Sequence, residues 1–473
     1  MTLLFDDRPA LGANPGVHAL VIGVSSYPFL IGGAKPVANP WGMGQLTSTA
    51  ASAFKMFEWL KRTRAQLPVP LATCRVLLSP SPQEAHLNGI ADEATVANML
   101  AAANDWRNDA STDRDNVTLF YFAGHGVQRT KEDAVMCLRD FLEPLGSSLR
   151  NAIDLATVRA GMSPSKTRQD IARTQFYFVD ACRVQPSELK EFEPLETTAV
   201  FNKDLSGEDD RCSPIFYASV SNHAAAAIPG VQTLFSQALI ECLDGDAGDS
   251  LGDDPQGDPM WGVSVGGLNR GLMKKVDQLN IRLGGDQILT TGGQFSDATI
   301  RRLDGPPLVD VTLAVDPDDA AQFSALRVVA DAKTVAVTQP PPLAPHPHTC
   351  RLPAGIYSIE LSFARPPSPA NFVDSQRFKV AVAPRSDWKV KVAPENGRLE
   401  VEGEIDSNRV GQRWTWSLRH NGVLVDRGVR RTAGRSGSFE VHRVVRNVSG
   451  TDRIVFRAVR PATGQVCRGV VTF

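Results

Sequence analysis

The sequence predicts an α/β domain, with a mostly parallel sheet flanked by helices, followed by two small all-β sandwich domains. Three observations carry that expectation. Runs of β-branched and aromatic residues at 19–24, 117–124 and 175–180 are apolar and far too short to span a membrane, the pattern of strands buried on both faces. Helical patterns lie between them, and strand–helix alternation builds βαβ units. After Arg302 the texture changes to short alternating strands broken by Pro, Gly and Asp, with Gly305-Pro-Pro307 as the boundary. The expected domains are residues 1–304, 305–383 and 384–473.

In chain order, residues 18–25 read as the first strand and 28–45, rich in Gly and Pro, as a loop. Thr47–Arg62 reads as a helix capped by Thr47 or Ser48, with Phe54, Phe57 and Leu60 on one side. Ala72–Leu78 is a strand, closed by Ser79-Pro-Ser-Pro82, and Thr95–Trp106 a second helix. The 117–124 strand follows the polar run 108–116. Residues 185–213 lack apolar periodicity and read as a long exposed loop, Pro214–Ser219 as a strand, and Leu234–Leu243 as a helix. Residues 244–259 read as a flexible acidic loop whose spacing does not match an EF-hand, so no metal is expected there. In the β-region, 319–326 is the one stretch with helical character, and Leu352–Leu361 alternates as a single half-buried strand. Arg413–His420 puts Trp414, Trp416 and Leu418 on one face, and Asn421-Gly422 marks a hairpin to Val423-Leu-Val425.

Composition sets bounds on function. Net charge is −2, so the chain is no global polyelectrolyte, and 42 % hydrophobic residues suffice for ordinary cores. Residues 384–473 depart from this: 17 Lys and Arg, 15 of them Arg, face nine Asp and Glu, a net of +8 against −10 for the rest. Such a module can bind an acidic partner; the plainer reading is that the two halves attract each other within one molecule, or that nothing is bound. No RNA- or DNA-binding motif accompanies it, so nucleic acid is not expected. No run reaches a membrane span, and no membrane partner is expected. The start lacks the basic region and long apolar core of a signal peptide. Seven scattered Cys form neither a disulfide framework nor a zinc pattern. A reducing, cytoplasmic setting is expected, with no cofactor.

The 117–124 and 175–180 strands run into polar residues of catalytic type. Sites in open α/β sheets lie beyond the carboxyl ends of strands. His125 and Cys182, 57 residues apart, are therefore expected at one sheet edge. A thiolate is the reactive form of Cys, and a nearby imidazole can take the proton and return it to a leaving amine. The bland alternative for Cys182 is a buried structural thiol. Cys137, Cys212 and Cys242 lack such a setting. His18, placed before its strand, and His223, after the Pro214–Ser219 strand, are the rival imidazoles.

His125-Gly126 after Phe120-Tyr-Phe-Ala-Gly124, together with Asp180-Ala-Cys182-Arg183 after a buried strand, resembles the caspase-like cysteine peptidases: caspases, metacaspases and their bacterial relatives. The opening strand with Tyr27 and the Pro214–Ser219 strand fit as well, and the resemblance extends over roughly residues 15–303. It implies an endopeptidase acting on protein or peptide substrates. Cys182 would be the nucleophile, His125 the base, and the amides of Gly126 and Cys182 the oxyanion hole. It implies that Asp180, on the same side of its strand as Cys182, lies in the pocket for the residue before the cut bond and favours Arg or Lys. A further metacaspase acid in the first helix corresponds here to Ser52, and one after the groove strand is replaced by Asn222-His-Ala-Ala-Ala-Ala227. Alternatively, Asp180 holds its loop by accepting backbone N–H bonds. By analogy with the processed linker of caspases, the 185–213 loop offers Lys190, Lys203 and Arg211 for self-cleavage. The C-terminal β-domains would regulate or target the peptidase. A second reading is a catalytically inactive scaffold on the same fold, binding through those β-domains.

Overall fold

A computed structural model describes residues 1–473 apart from 131–132, 145–148, 184, 188–196, 202–205, 220–226, 229–230, 257, 284–286, 314–323, 331–333, 340–347, 356, 364–375, 381–386, 408–409, 435–436 and 462–464. Lys190, Lys203 and His223 thus lie outside the described residues. The chain divides into two compact units, Met1–Gly305 and Pro306–Phe473.

The first unit is built on a seven-stranded sheet. Its order is β1 (Leu3–Asp6), β3 (Leu71–Ser79), β2 (Val17–Val24), β4 (Val117–Gly124), β8 (Thr174–Ala181), β9 (Ser213–Tyr217) and β14 (Thr290–Gln294). The five central strands are parallel, and the two edges run antiparallel. Every residue of β2, β3 and β4 is buried, which is why their sequences are apolar on both alternating sides. A single turn, α1 (Arg8–Leu11), follows β1. Helices α2 (Thr49–Arg62), α5 (Leu234–Glu241) and α6 (Val265–Leu283) cover one face, where Phe57, Leu60, Phe178, Phe216, Leu239 and Leu268 share a core. α3 (Val96–Ala110) and α4 (Leu155–Gly161) lie on the other, with Ile22, Trp106, Phe120, Phe122 and Tyr177.

Several expectations are corrected locally. α2 starts at Thr49, and its first amides are satisfied from outside the helix. Ser25 Oγ accepts from the N–H groups of Thr49 (3.1 Å) and Ala50 (3.0 Å), and buried Glu84 accepts from Ala51 (2.8 Å). Tertiary neighbours replace the local cap. α5 stops at Glu241 and passes into a π-turn over Cys242–Asp246. The acidic stretch beyond is no flexible loop: β12 (Asp249–Asp253) pairs antiparallel with β13 (Pro259–Ser264). Three of its six acids meet cations, Asp244 Arg62 and Arg301, Asp246 Lys275 and Asp249 Arg270. The described parts of 185–213 are not simply exposed either. Phe201 is buried under the Arg107 guanidinium at 4.0 Å, and Thr198 N–H donates to the Ala152 carbonyl (3.0 Å). Arg211 is buried, paired with Asp209 and bonded to Gln175 Oε1, so it does not offer an open cleavage site.

The second unit is antiparallel β throughout its described residues. Ser324–Ala330 is a strand where helical character was expected. The 352–361 stretch is shared between two strands, His348–Pro353 and Tyr357–Phe363. Gln376–Val380 pairs antiparallel with Asp387–Glu395. Two four-stranded sheets enclose a core of Val390, Val401, Trp414, Trp416, Phe439 and Phe456. The Asn421-Gly422 turn forms as expected, both residues at positive φ (47° and 85°), the geometry of a type I′ hairpin. Among the described residues no helix is long and apolar enough to cross a membrane.

Candidate active site

β4 and β8 lie side by side with Ala123 opposite Asp180 and Gly124 opposite Ala181. His125 and Cys182 are the next residues along these two strands, so the parallel register brings them out together at one sheet edge. Gly126 shows how close the two chains run. A methyl group on it would stand 2.5 Å from the Cys182 carbonyl oxygen and 2.8 Å from Ala181 Cβ, so only glycine fits.

His125 is fixed from several sides. Its N–H donates to Tyr27 Oη (2.8 Å), and the two rings lie 4.9 Å apart. Tyr27 in turn donates to the Cys137 carbonyl (3.2 Å). His125 Nε2 lies 2.7 Å from the carbonyl oxygen of Gly44. A carbonyl can only accept, so Nε2 carries the hydrogen and Nδ1 is the basic nitrogen of the neutral ring. Burial holds this imidazole below its ordinary pKa, with the Gly44 carbonyl pulling the other way.

Cys182 is half-buried, whereas Cys74, Cys137, Cys212 and Cys242 are buried. Burial pushes the Cys242 thiol up to about 12, and Cys74 and Cys137 higher still. Beside Cys182, Arg183 places its guanidinium 4.5 Å from the Tyr217 ring centre.

Asp180 is 1 % exposed. Its Oδ2 accepts from Tyr121 Oη (2.9 Å) and Thr233 Oγ1, while Oδ1 is buried with no hydrogen-bond partner among the described residues. These partners are side-chain hydroxyls, so the carboxylate does not hold its loop through backbone amides. Burial pushes the carboxyl up to about 6, opposed by the Thr233 and Tyr121 hydroxyls. Ser52 belongs to the same cluster: its Oγ accepts from Thr233 N–H (2.9 Å) and lies 3.2 Å from Thr233 Oγ1. His18 does not join the site. It lies inside β2, near the end opposite His125, bonded to Thr73 Oγ1 (2.8 Å), and burial lowers it to about 4.

Sequence reasoning missed Gly44, Thr233 and Tyr121. A backbone carbonyl has no residue signature. Thr233 also caps α5 by accepting from Ser236 N–H (3.1 Å), and that ordinary role hides the other. Tyr121 reads as one more aromatic of a buried strand.

The family model of the caspase domain matches residues 17–254, half of the chain. Among solved structures, caspase-1 from Spodoptera frugiperda is similar over 62 % of this chain and 93 % of its own, at 11 % identity and a TM-score of 0.34. A bromine derivative of BhCBM56 is similar over 21 % of this chain and 97 % of its own, at 20 % identity and a TM-score of 0.14. No curated protein matches the chain.

Proposed function

The chain belongs to the caspase family, and from that premise we propose a cysteine endopeptidase that cuts after Arg or Lys, with its second unit serving regulation or targeting. The observation that carries it is the packing of Gly126 against Cys182, which joins the two strand ends into one site. Cys182 attacks the scissile carbonyl after His125 Nδ1 takes the thiol proton, and His125 then gives that proton to the leaving amine. The Nε2–Gly44 bond supports this assignment by fixing the ring's tautomer and orientation.

The oxyanion hole is assigned to the N–H groups of Gly126 and Cys182. The His125 carbonyl accepts from Cys137 N–H (2.9 Å). Gly126 and its partner Met136 therefore sit at the neighbouring, non-hydrogen-bonded position of the ladder between β5 (Gly126–Val127) and β6 (Val135–Cys137). That turns the Gly126 amide away from β6.

Specificity is assigned to Asp180. A buried carboxylate oxygen without a partner is costly unless something cationic reaches it. An Arg or Lys side chain of the substrate supplies that charge through a charge-assisted hydrogen bond to Oδ1. Incubation with a peptidyl electrophile ending in Arg tests the whole reading. Selective modification of Cys182 is expected. A chain that stays unmodified at Cys182 while folded is the inactive scaffold instead.

A further inference from the structure

The excess charge of residues 384–473 is concentrated on one sheet. Strands β24 (Arg413–His420), β25 (Val423–Arg431), β27 (Arg453–Arg460) and β28 (Gln465–Thr472) form it, in the order β25-β24-β27-β28. They carry nine Arg, no Lys and one carboxylate, Asp426, which pairs with Arg443. The opposed sheet mixes signs, with Lys389 on Glu402 and His442 on Glu400.

Trp414, Trp416, Leu418 and Phe456 face the core. Alternation then turns Arg413, Arg419, Arg427, Arg453, Arg457 and Arg468 to the outer face. The ladder sets Arg427, Ser417, Arg457 and Arg468 in a single row across the four strands. Arg453 and Arg457 help hold Arg468 below its ordinary pKa, behind burial, as gathered like charges do. By the same alternation no acidic and no aromatic residue falls on this face.

At one end of the sheet stands the Asn421-Gly422 turn, and just after it Val423, Leu424 and Val425 are 70 %, 40 % and 42 % exposed. Arg419 is opposite Leu424, Arg427 follows two residues beyond Val425, and Arg453 N–H donates to the Asn421 side chain (2.7 Å). The Arg419 guanidinium donates to the Gly422 carbonyl (2.9 Å), so an arginine stands directly beside this aliphatic tip.

We propose that this tip and the arginine face dock the protein onto an anionic phospholipid bilayer. Val423–Val425 enter the boundary between headgroups and acyl chains, and the guanidinium groups bind headgroup phosphates. Arginine's planar fork matches phosphate oxygens, and an anionic leaflet attracts a basic surface within a Debye length. The aliphatic tip selects the bilayer over other polyanions. A nucleic acid offers phosphates, but this face has no aromatic platform for bases and would leave the tip in water. The expectation of no membrane partner came from the lack of a spanning run, which a peripheral surface does not need.

The test is co-sedimentation of the full chain with vesicles of phosphatidylcholine alone or with about 30 % phosphatidylserine. Binding is expected only with phosphatidylserine, falling at least about tenfold between 0.1 and 0.5 M salt. The triple variant Arg427→Glu, Arg457→Glu, Arg468→Glu and, separately, Leu424→Asp should each lose about tenfold or more, with unchanged melting and unchanged peptidase labelling. These side chains lie on the sheet's outer face, so folding should survive; a variant that melts early is replaced by the same positions changed to Gln. Equal binding to both vesicles, no binding, undiminished binding by Leu424→Asp, or tighter binding to a DNA duplex than to vesicles would each overturn the proposal.

Discussion

The two units distribute their charges differently. In the first, acids generally meet cations: Asp109 holds Arg75 and Arg8, Asp209 holds Arg211, and Asp244 holds Arg62 and Arg301. Asp180 departs from this, buried among hydroxyls with Oδ1 unmatched. In the second unit, nine arginines on one sheet share a single carboxylate that is itself paired with Arg443. One unit therefore encloses a single carboxylate with an unmatched oxygen, and the other carries its arginines on one sheet. Burial separates the two cases. Enclosure makes a lone carboxylate costly, whereas solvent makes exposed arginines cheap.

Substitutions at the strand ends should have the largest effects on the enclosed site. Cys182→Ala and His125→Ala should each lower peptide hydrolysis by at least about 10⁴-fold with far-UV and near-UV spectra unchanged, and the double variant should be little worse than either. Substantial turnover by Cys182→Ala, measured with fluorogenic peptides, would remove the peptidase reading. Gly126→Ala should follow at about 10²-fold in kcat, because the added methyl must displace Cys182 by a fraction of an ångström or more. Normal kcat in that variant would mean the two strand ends do not act as one site.

The pH dependence sharpens the contrast. His125 is held below its ordinary value by burial, so the acid limb of kcat/KM should fall below the usual imidazole range near 6.5. The preference for Arg over Leu should shrink as pH drops through about 6, where Asp180 takes up its proton. A pH-independent preference would separate specificity from this carboxyl.

The smallest effect is on stability. Asp180 binds its proton more tightly folded, with a pKa of about 6, than unfolded, near 3.8. Stability therefore falls as pH rises between those values, and the penalty is fully present above about 6. Asp180→Asn should raise stability at pH 7.5 by on the order of 1–3 kcal/mol, less what the amide loses by lacking a partner at the Oδ1 position, and the gain should vanish toward pH 4. A denaturant midpoint unchanged or lowered at pH 7.5 would contradict a strained carboxylate.

The buried strands and the residues that end them were legible in the sequence because burial on both faces leaves an unbroken apolar run, and the first polar residue after it stands out. Asn421-Gly422 was legible because positive φ at two successive residues narrows the choice to a few types. Less visible were features made by contact between distant segments. The α2 cap comes from Ser25 and Glu84, the orientation of His125 from the Gly44 carbonyl, and the surroundings of Asp180 from Ser52 and Thr233, 181 residues apart. The acids at 244–259 read as solvated because their cations, Arg62, Lys275 and Arg301, lie elsewhere in the chain.

The central claim, an enclosed carboxylate that awaits a substrate cation, is tested most directly by kcat/KM on paired peptides ending in Arg, Lys, Asp or Leu, for wild type and Asp180→Asn. The account predicts that wild type prefers Arg and Lys, and that the variant loses about 10²-fold on those two while the Leu peptide changes little. A wild type that prefers Asp or Leu, or an equal loss on all four peptides, would contradict it.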